Sequence, residues 1–245
     1  CEANIKYKDR TDMAMIFSKE PCVCAGTFTT NVVKAACVQW DQKIVYSGKP
    51  MHAIVVNSGI ANACTGKEGF DACEATAKAV ESSLLVPFDS VAVASTGVIG
   101  MQLPVEKLVN GVESMSKTLT RSPEAGTDAS KAIMTTDTVN KEIAVTFEIG
   151  EKTVTLGGMC KGSGMIHPNM ATMLVFITTD CAISSQMLQK ALSSDIQNTF
   201  NMVSVDGDTS TNDMVTVLAN GMAGNAEITA DGEDFAAFMK ALNTV

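Results

Sequence analysis

The chain has 245 residues, 46% of them hydrophobic, with 27 acidic side chains against 18 Lys and Arg, for a net charge of -9. An acidic chain without a Lys/Arg-rich run lacks the electrostatic footprint of a nucleic-acid or anionic-membrane binder, and its longest apolar runs, around 53–56 and 173–177, fall far short of the roughly 18 residues a membrane span needs. Eight cysteines, at 1, 22, 24, 37, 64, 73, 160 and 181, form no CxxC pair in a chain long enough to fold without covalent staples, which points to a reducing cytoplasm.

In chain order, the first ten residues are charged and lack the basic-then-apolar pattern of a secretory leader, and a chain opening on Cys1 leaves room for a segment upstream. Residues 53–57 read as a buried strand that stops at Ser58-Gly59. The spacing of Phe70, Cys73, Ala77, Val80 and Leu84 predicts a helix that ends before Pro87. A second strand, 91–94, runs into Ser95-Thr96-Gly97. Pro104, near a helix start, precedes Val105, Leu108, Val112 and Met115 on one core-facing stripe. Residues 143–149 and 153–156 alternate around Gly150-Glu151 as a hairpin leading into Gly157-Gly158. A strand over 173–178, a helix over 184–200 capped by Ser184 or Ser185, a strand over 214–219 and a last helix over 231–242 complete the pattern. Short strands alternating with helices predict a mixed α/β fold of the layered α+β kind. No repeat, linker or composition shift marks a boundary, and the one expected lies near residue 183.

Several chemistries lose their usual support. The two histidines, His52 and His167, are far apart and lack zinc spacing. His167, before Pro168, reads more readily as a loop histidine satisfying backbone groups than as a general base. There is no GxSxG elbow, no GxxxxGK[ST] phosphate loop and no GxGxxG turn, although Gly162-Ser163-Gly164 superficially suggests one. The acidic run Asp206-Gly207-Asp208-Thr209-Ser210-Thr211-Asn212-Asp213 lacks the glycine and the glutamate of a calcium loop, and reads as a polar turn. What remains is a dense set of small hydroxyl, amide and glycine residues: Thr29-Thr30-Asn31, Asn57-Ser58-Gly59, Ser95-Thr96-Gly97, Thr135-Thr136-Asp137-Thr138 and Lys161-Gly162-Ser163-Gly164. Each alone is an ordinary turn. Their joint appearance is the functional signal.

In order along the chain, Ala25-Gly26-Thr27-Phe28-Thr29-Thr30-Asn31, Asn57-Ser58-Gly59-Ile60-Ala61-Asn62-Ala63-Cys64-Thr65-Gly66, Ser95-Thr96-Gly97-Val98-Ile99-Gly100, Lys161-Gly162-Ser163-Gly164-Met165-Ile166-His167-Pro168-Asn169-Met170-Ala171-Thr172-Met173-Leu174 and Ser204-Val205-Asp206-Gly207-Asp208-Thr209-Ser210-Thr211-Asn212-Asp213 resemble the ornithine acetyltransferase family. The resemblance runs through nearly the whole chain. It departs at Cys37, where the family has Pro, and at Ile60, where it has Asn. The family continues past residue 245 with further substrate-binding residues, so the site carried by this sequence is expected to be incomplete.

The resemblance implies an αββα sandwich of the self-processing aminopeptidase and acyltransferase type. Residues 1–183 would form the main catalytic domain with the self-cleavage site, and 184–245 the start of a smaller α/β lobe of the second chain, the cleaved chains assembling as α2β2. It implies cleavage between Ala171 and Thr172, after which Thr172 is both nucleophile and, through its new α-amine, base. Thr96 and Gly97 would form the oxyanion hole. Lys161 would meet a substrate carboxylate, with Thr135 or Thr136 as a further substrate contact, Thr135 being favoured. The implied substrates are N2-acetylornithine, glutamate and ornithine, with acetyl-CoA as a second candidate donor and no cofactor or metal. Two other readings stay open: a self-processing aminopeptidase on the same sandwich, with water as acceptor, and a binding protein that keeps the fold but is not cleaved.

Overall fold

The computed structural model describes residues 1–165 and 173–245. Its longest strand, β1 (Met13–Phe28), is made of two apolar halves separated by Ser18-Lys19-Glu20-Pro21. Proline has no N–H for a ladder, and pairing is interrupted between Phe17 and Cys22. The first half pairs antiparallel with β2 (Met51–Ile60), Met13 opposite Asn57 and Phe17 opposite Ala53. The second half pairs antiparallel with β7 (Met214–Ala219), Val23 opposite Ala219 and Phe28 opposite Met214. Among the described residues seven strands therefore share one hydrogen-bonded order, β3-β2-β1-β7-β6-β5-β4, with β3 (Val91–Val98), β4 (Lys141–Ile149), β5 (Lys152–Lys161) and β6 (Leu174–Thr179) as the other members.

Burial shows how the two halves stack. Leu174, Phe176, Met214 and Leu218 lie in the same apolar cluster as the β1–β3 half and the helices α1 (Ala36–Val45), α2 (Gly66–Leu84) and α3 (Val105–Ser116). Their neighbours along the same strands, Val175, Ile177, Val215 and Val217, belong instead to the cluster under α5 (Ser185–Asp195) and α6 (Glu233–Thr244). Successive strand residues point to opposite faces, so the second half-sheet has one face on the first half-sheet and the other on α5 and α6. The layers are α, β, β, α, the sandwich expected of the family.

Each expected strand and helix is present, with modest differences in extent. The hairpin turns at Gly150, φ +58°, between Ile149 and Lys152. The helix expected over 184–200 ends at Asp195. There the Thr199 hydroxyl donates to the Asp195 carbonyl at 3.0 Å and Asn198 N–H to the same carbonyl at 3.0 Å, so local polar bonds replace the helical ladder. Three elements were not expected: β1, whose polar insert reads as a turn; α1; and α4 (Pro123–Ala132), which starts with Ser122 accepting the Ala125 N–H and Pro123 in the first turn but carries too few large apolar residues for a periodic signal. The part of the chain beyond 183 supplies β7, between β1 and β6, together with α5 and α6.

Candidate active site

One end of the folded sheet gathers the loops singled out in the sequence. Asn57, Ser58 and Gly59 on β2 lie in parallel register beside Ser95, Thr96 and Gly97 on β3, so two of the flagged runs are neighbouring strand ends. The Ser95 hydroxyl donates to Asn57 Oδ1 at 2.7 Å, Asn57 Nδ2 donates to the Ile60 carbonyl at 2.9 Å, and the Ser58 hydroxyl donates to the Ala132 carbonyl at 2.8 Å. This lattice holds Thr96 and Gly97 in a shape only glycine allows. Gly97 has φ +133°, and a Cβ there would lie 2.2 Å from the carbonyl carbon of Gly59. Thr96 is buried while Gly97 is exposed, which leaves its peptide at the surface of the site.

Lys161 is the last residue of β5 and is 6% exposed. Its ammonium donates to Thr96 Oγ1 at 3.4 Å. Burial depresses its pKa, opposed by the charges of Asp137 and Asp213. Across the strands Lys161 lies opposite Leu174 on β6, and Leu174 opposite Met214 on β7. The end of β5 and the beginnings of β6 and β7 therefore stand side by side.

Asp137 ties the 135–138 run to this end. Its Oδ1 accepts Gly162 N–H at 2.8 Å and Lys141 Nζ at 2.7 Å, and its Oδ2 accepts Thr135 N–H at 3.2 Å. Burial alone would raise its pKa, but the Lys141 ammonium and the two amides outweigh it and hold the carboxyl below the usual range. The Thr136 hydroxyl is engaged with the Ser163 hydroxyl at 2.6 Å. Among the described residues the Thr135 hydroxyl has no partner.

The acidic run 206–213 is a loop clasped to the end of β1. The Thr29 hydroxyl donates to the Ser210 carbonyl at 2.7 Å and Asn31 Nδ2 to the Thr209 carbonyl at 2.8 Å. Asn212 Nδ2 reaches the other half-sheet, donating to the carbonyls of Ala61 at 2.5 Å and Ser95 at 2.8 Å. Next to it, Asp213 is 2% exposed, and its Oδ2 has no hydrogen-bond partner among the described residues. Burial pushes this carboxyl up to about 8, against the Ser210 hydroxyl, the Lys161 charge and the amides of Met173 and Ser210.

The structure thus brings Thr96, Gly97 and Lys161 together and packs the Thr135-Thr136 turn against the Lys161 loop through Asp137. Ala171 and Thr172, like His167, lie outside the described residues. On the far side of them the chain returns at Met173, whose carbonyl accepts Met214 N–H at 3.1 Å. Sequence reasoning missed Asp137, Asn212 and Asp213 as members of the site. All three lie inside runs it flagged, but their burial and partners come from elements distant along the chain.

A family model described as the ArgJ family matches residues 1–245. The arginine biosynthesis bifunctional protein ArgJ 1 of Clostridium acetobutylicum is 48% identical over 99% of this chain and 59% of its own length. The chain spans about 60% of the length of the curated relatives it matches. The crystal structure of ornithine acetyltransferase complexed with ornithine from Mycobacterium tuberculosis superposes with a TM-score of 0.61 at 35% identity, covering 71% of this chain and 89% of that one. An aminopeptidase of Ochrobactrum anthropi, described as a variant of the Ntn-hydrolase fold, shares the fold at a TM-score of 0.54 and 11% identity over 98% of this chain.

Proposed function

The chain belongs to the ArgJ family, and on that premise we propose that it moves acetyl from N2-acetylornithine to glutamate through an acetyl ester on Thr172, after cutting itself between Ala171 and Thr172. The observation that carries this reading is the convergence of Thr96 and the exposed Gly97 with the buried Lys161 ammonium, at the sheet end where β6 begins two residues after Thr172. The solved ornithine acetyltransferase is covered over 89% of its length while reaching 71% of this chain, close to the share that precedes Thr172, which supports a cut there. That relative is a complex with ornithine, which supports the amine.

A threonine hydroxyl needs a base at neutral pH. In the cleaved protein the base is the α-amine of Thr172 itself, with a reference pKa of about 7.7 to 8.0, so no cofactor is required. The hydroxyl attacks the acetyl carbonyl as the amine takes its proton. The oxyanion that forms is met by the Thr96 hydroxyl and the Gly97 N–H, and ornithine leaves with the proton. Glutamate then attacks the ester and departs as N-acetylglutamate. The Lys161 ammonium, buried and donating to the Thr96 hydroxyl, pairs with the substrate carboxylate. Of the two neighbouring threonines, Thr135 is the substrate contact, since the Thr136 hydroxyl is already bonded to Ser163. Eight free cysteines fit a reducing cytoplasm, and the cleaved chains assemble as α2β2.

Denaturing mass spectrometry of the protein beside Thr172→Ala tests the first step: two fragments from the parent and one from the variant are expected. Incubation with N2-acetylornithine and labelled glutamate then tests transfer, with acetyl-CoA as a second donor. Release of amino acids from peptides without acetyl transfer would point to the aminopeptidase chemistry instead, and an intact parent would overturn the mechanism.

A further inference from the structure

In a chain of net charge -9, residues 6–10, Lys6-Tyr7-Lys8-Asp9-Arg10, carry three cations and one acid. Three charges are too few for a nucleic-acid footprint but enough to hold the anionic part of one small ligand. Where they stand in the fold decides what they can meet.

The loop that carries them is pinned at both ends. Asp12, 1% exposed, accepts the Ala3 amide at 2.7 Å and the Ile5 amide at 2.6 Å, one on each carboxylate oxygen, and its carbonyl accepts Ser58 N–H at 2.8 Å near the end of β2. Lys6 lies against Gly59, its Cβ 3.0 Å from where a Cβ on that glycine would sit. Gly59 is in register with Gly97, so the base of Lys6 is one strand away from Gly97. Further along the loop, the Arg10 guanidinium donates to the carbonyl of Met134, the residue before Thr135. The loop therefore edges the candidate site from the Gly59 and Gly97 strand ends to the Thr135 turn.

Its cations are gathered without a counter-ion. Lys6 Nζ lies 4.8 Å and the Arg10 guanidinium carbon 5.9 Å from the centroid of the same Tyr7 ring, and Lys107 of α3 donates to the Asn4 carbonyl at the start of the loop. Among the described residues none of Lys6, Lys8, Arg10 and Lys107 is in an ion pair. The acids on the same two elements are Asp9 in the loop and Glu106 beside Lys107; Asp12 is spent on the loop's own amides. Like charges brought together repel, and an anion laid across them removes that cost. A substrate carboxylate already has the buried Lys161, so the exposed cations are left for a second, more highly charged group at the edge of the site.

We propose that Lys6, Lys8 and Arg10 form a phosphate subsite, and that they decide whether the site accepts a phosphate-bearing acetyl donor, acetyl-CoA or an acyl phosphate, in place of N2-acetylornithine. The donor's phosphates rest on the loop while its acetyl group reaches the Thr96 and Gly97 end of the site. The bond from the acetyl carbon to sulfur or to the phosphate oxygen breaks, and the thiol or the phosphate leaves where ornithine otherwise would. The subsite stands on the loop; its role in donor choice rests on the acetyl-transfer reading.

Isothermal titration calorimetry of the whole protein with coenzyme A, dephospho-coenzyme A, pantetheine and acetyl phosphate reads binding without turnover. Acetyl transfer to labelled glutamate from acetyl-CoA, acetyl phosphate and N2-acetylornithine is followed beside it. The parent is compared with Lys6→Gln/Lys8→Gln, with Lys8→Glu, and with Lys152→Gln/Lys240→Gln as an equal change of charge on β5 and α6, and melting curves confirm folding. Coenzyme A is expected to bind the parent about 10-fold or more tighter than pantetheine does and to weaken as salt rises. Lys6→Gln/Lys8→Gln is expected to raise its Kd and the KM for acetyl-CoA by about 10-fold or more, with Lys152→Gln/Lys240→Gln leaving both at the parental value. Loop-dependent binding of acetyl phosphate alone assigns the subsite to an acyl phosphate, and a weaker fit of dephospho-coenzyme A than of coenzyme A assigns it to the coenzyme. A parental Kd in Lys6→Gln/Lys8→Gln, pantetheine binding as tightly as coenzyme A, an equal loss in Lys152→Gln/Lys240→Gln, or a parent that binds none of the phosphate compounds overturns the proposal and leaves transfer from N2-acetylornithine standing. Loop-dependent binding with no acetyl reaching glutamate from any donor supports the subsite and overturns the transferase reading on which its donor role rests. If Lys6→Gln/Lys8→Gln fails to fold, the exposed Lys8 decides, and a parental Kd in Lys8→Glu overturns the proposal.

Discussion

Gly97 and Thr96 show what a single residue contributes. With φ +133° and the Gly59 carbonyl carbon 2.2 Å from where a Cβ would sit, Gly97→Ala forces the ends of β2 and β3 apart. It is expected to cost about 3 kcal/mol or more, from backbone strain and overpacking together, visible as a lower melting temperature along with lost transfer. Thr96→Ala removes one donor of the proposed oxyanion hole and is expected to lower kcat by about 100-fold to 1000-fold, with Thr96→Ser keeping most of the rate in the same steady-state assay. Both residues were legible in the sequence as Ser95-Thr96-Gly97. What was not legible is why the glycine is required, since its obstacle is a residue on another strand. The sequence left Thr135 and Thr136 open as the substrate contact, favouring Thr135; the contact between the Thr136 and Ser163 hydroxyls, on a loop 27 residues further along, was not legible in it.

Elements matter here through the ties between their ends. Asn212, at the entrance to β7, bonds the carbonyls of Ala61 and Ser95 at the ends of β2 and β3, so one amide clips the two half-sheets together beside Thr96 and Gly97. Asn212→Ala strands two buried carbonyls and is expected to cost about 2 to 3 kcal/mol in chemical denaturation. Because Ser95 precedes Thr96, kcat should also fall while KM changes less. The sequence pattern located the strands and helices with the clearest periodicity, and missed β1 because its two apolar halves serve different half-sheets across Ser18-Lys19-Glu20-Pro21. It missed α4 because helix capping by Ser122 and Pro123 is the main mark that segment carries.

At the scale of the molecule, the strand order bears on the proposed cut before Thr172. Residues after Thr172 supply β6 and β7, and β7 is inserted between β1 and β6 while β6 pairs with β5. The two fragments are therefore expected to stay associated after the cut, co-eluting in gel filtration and separating only in denaturant; separate elution in native buffer would contradict this topology. A second expectation concerns pH. Asp41 on α1 is fully buried, with Oδ1 accepting Val93 N–H at 2.8 Å and Oδ2 unpartnered among the described residues, and burial raises its carboxyl well above the usual range. The unfolded chain ionises it near about 3.9, so the folded state holds the extra proton. Asp41 therefore costs stability increasingly as pH rises above about 4. Asp41→Asn should raise the denaturation midpoint, by more at pH 8 than at pH 5.

By itself the sequence determined the alternation of strands and helices, the runs from which the site is built and the family they resemble, because these depend on local periodicity, turn chemistry and the order of residues. Tertiary structure alone decided that Asn57-Ser58-Gly59 and Ser95-Thr96-Gly97 are neighbours, that Lys161 reaches Thr96, and that Asp213 is buried with an oxygen to spare. A pKa, an unsatisfied oxygen and a forbidden Cβ each arise from atoms brought together from distant parts of the chain, and no local pattern records which ones will meet.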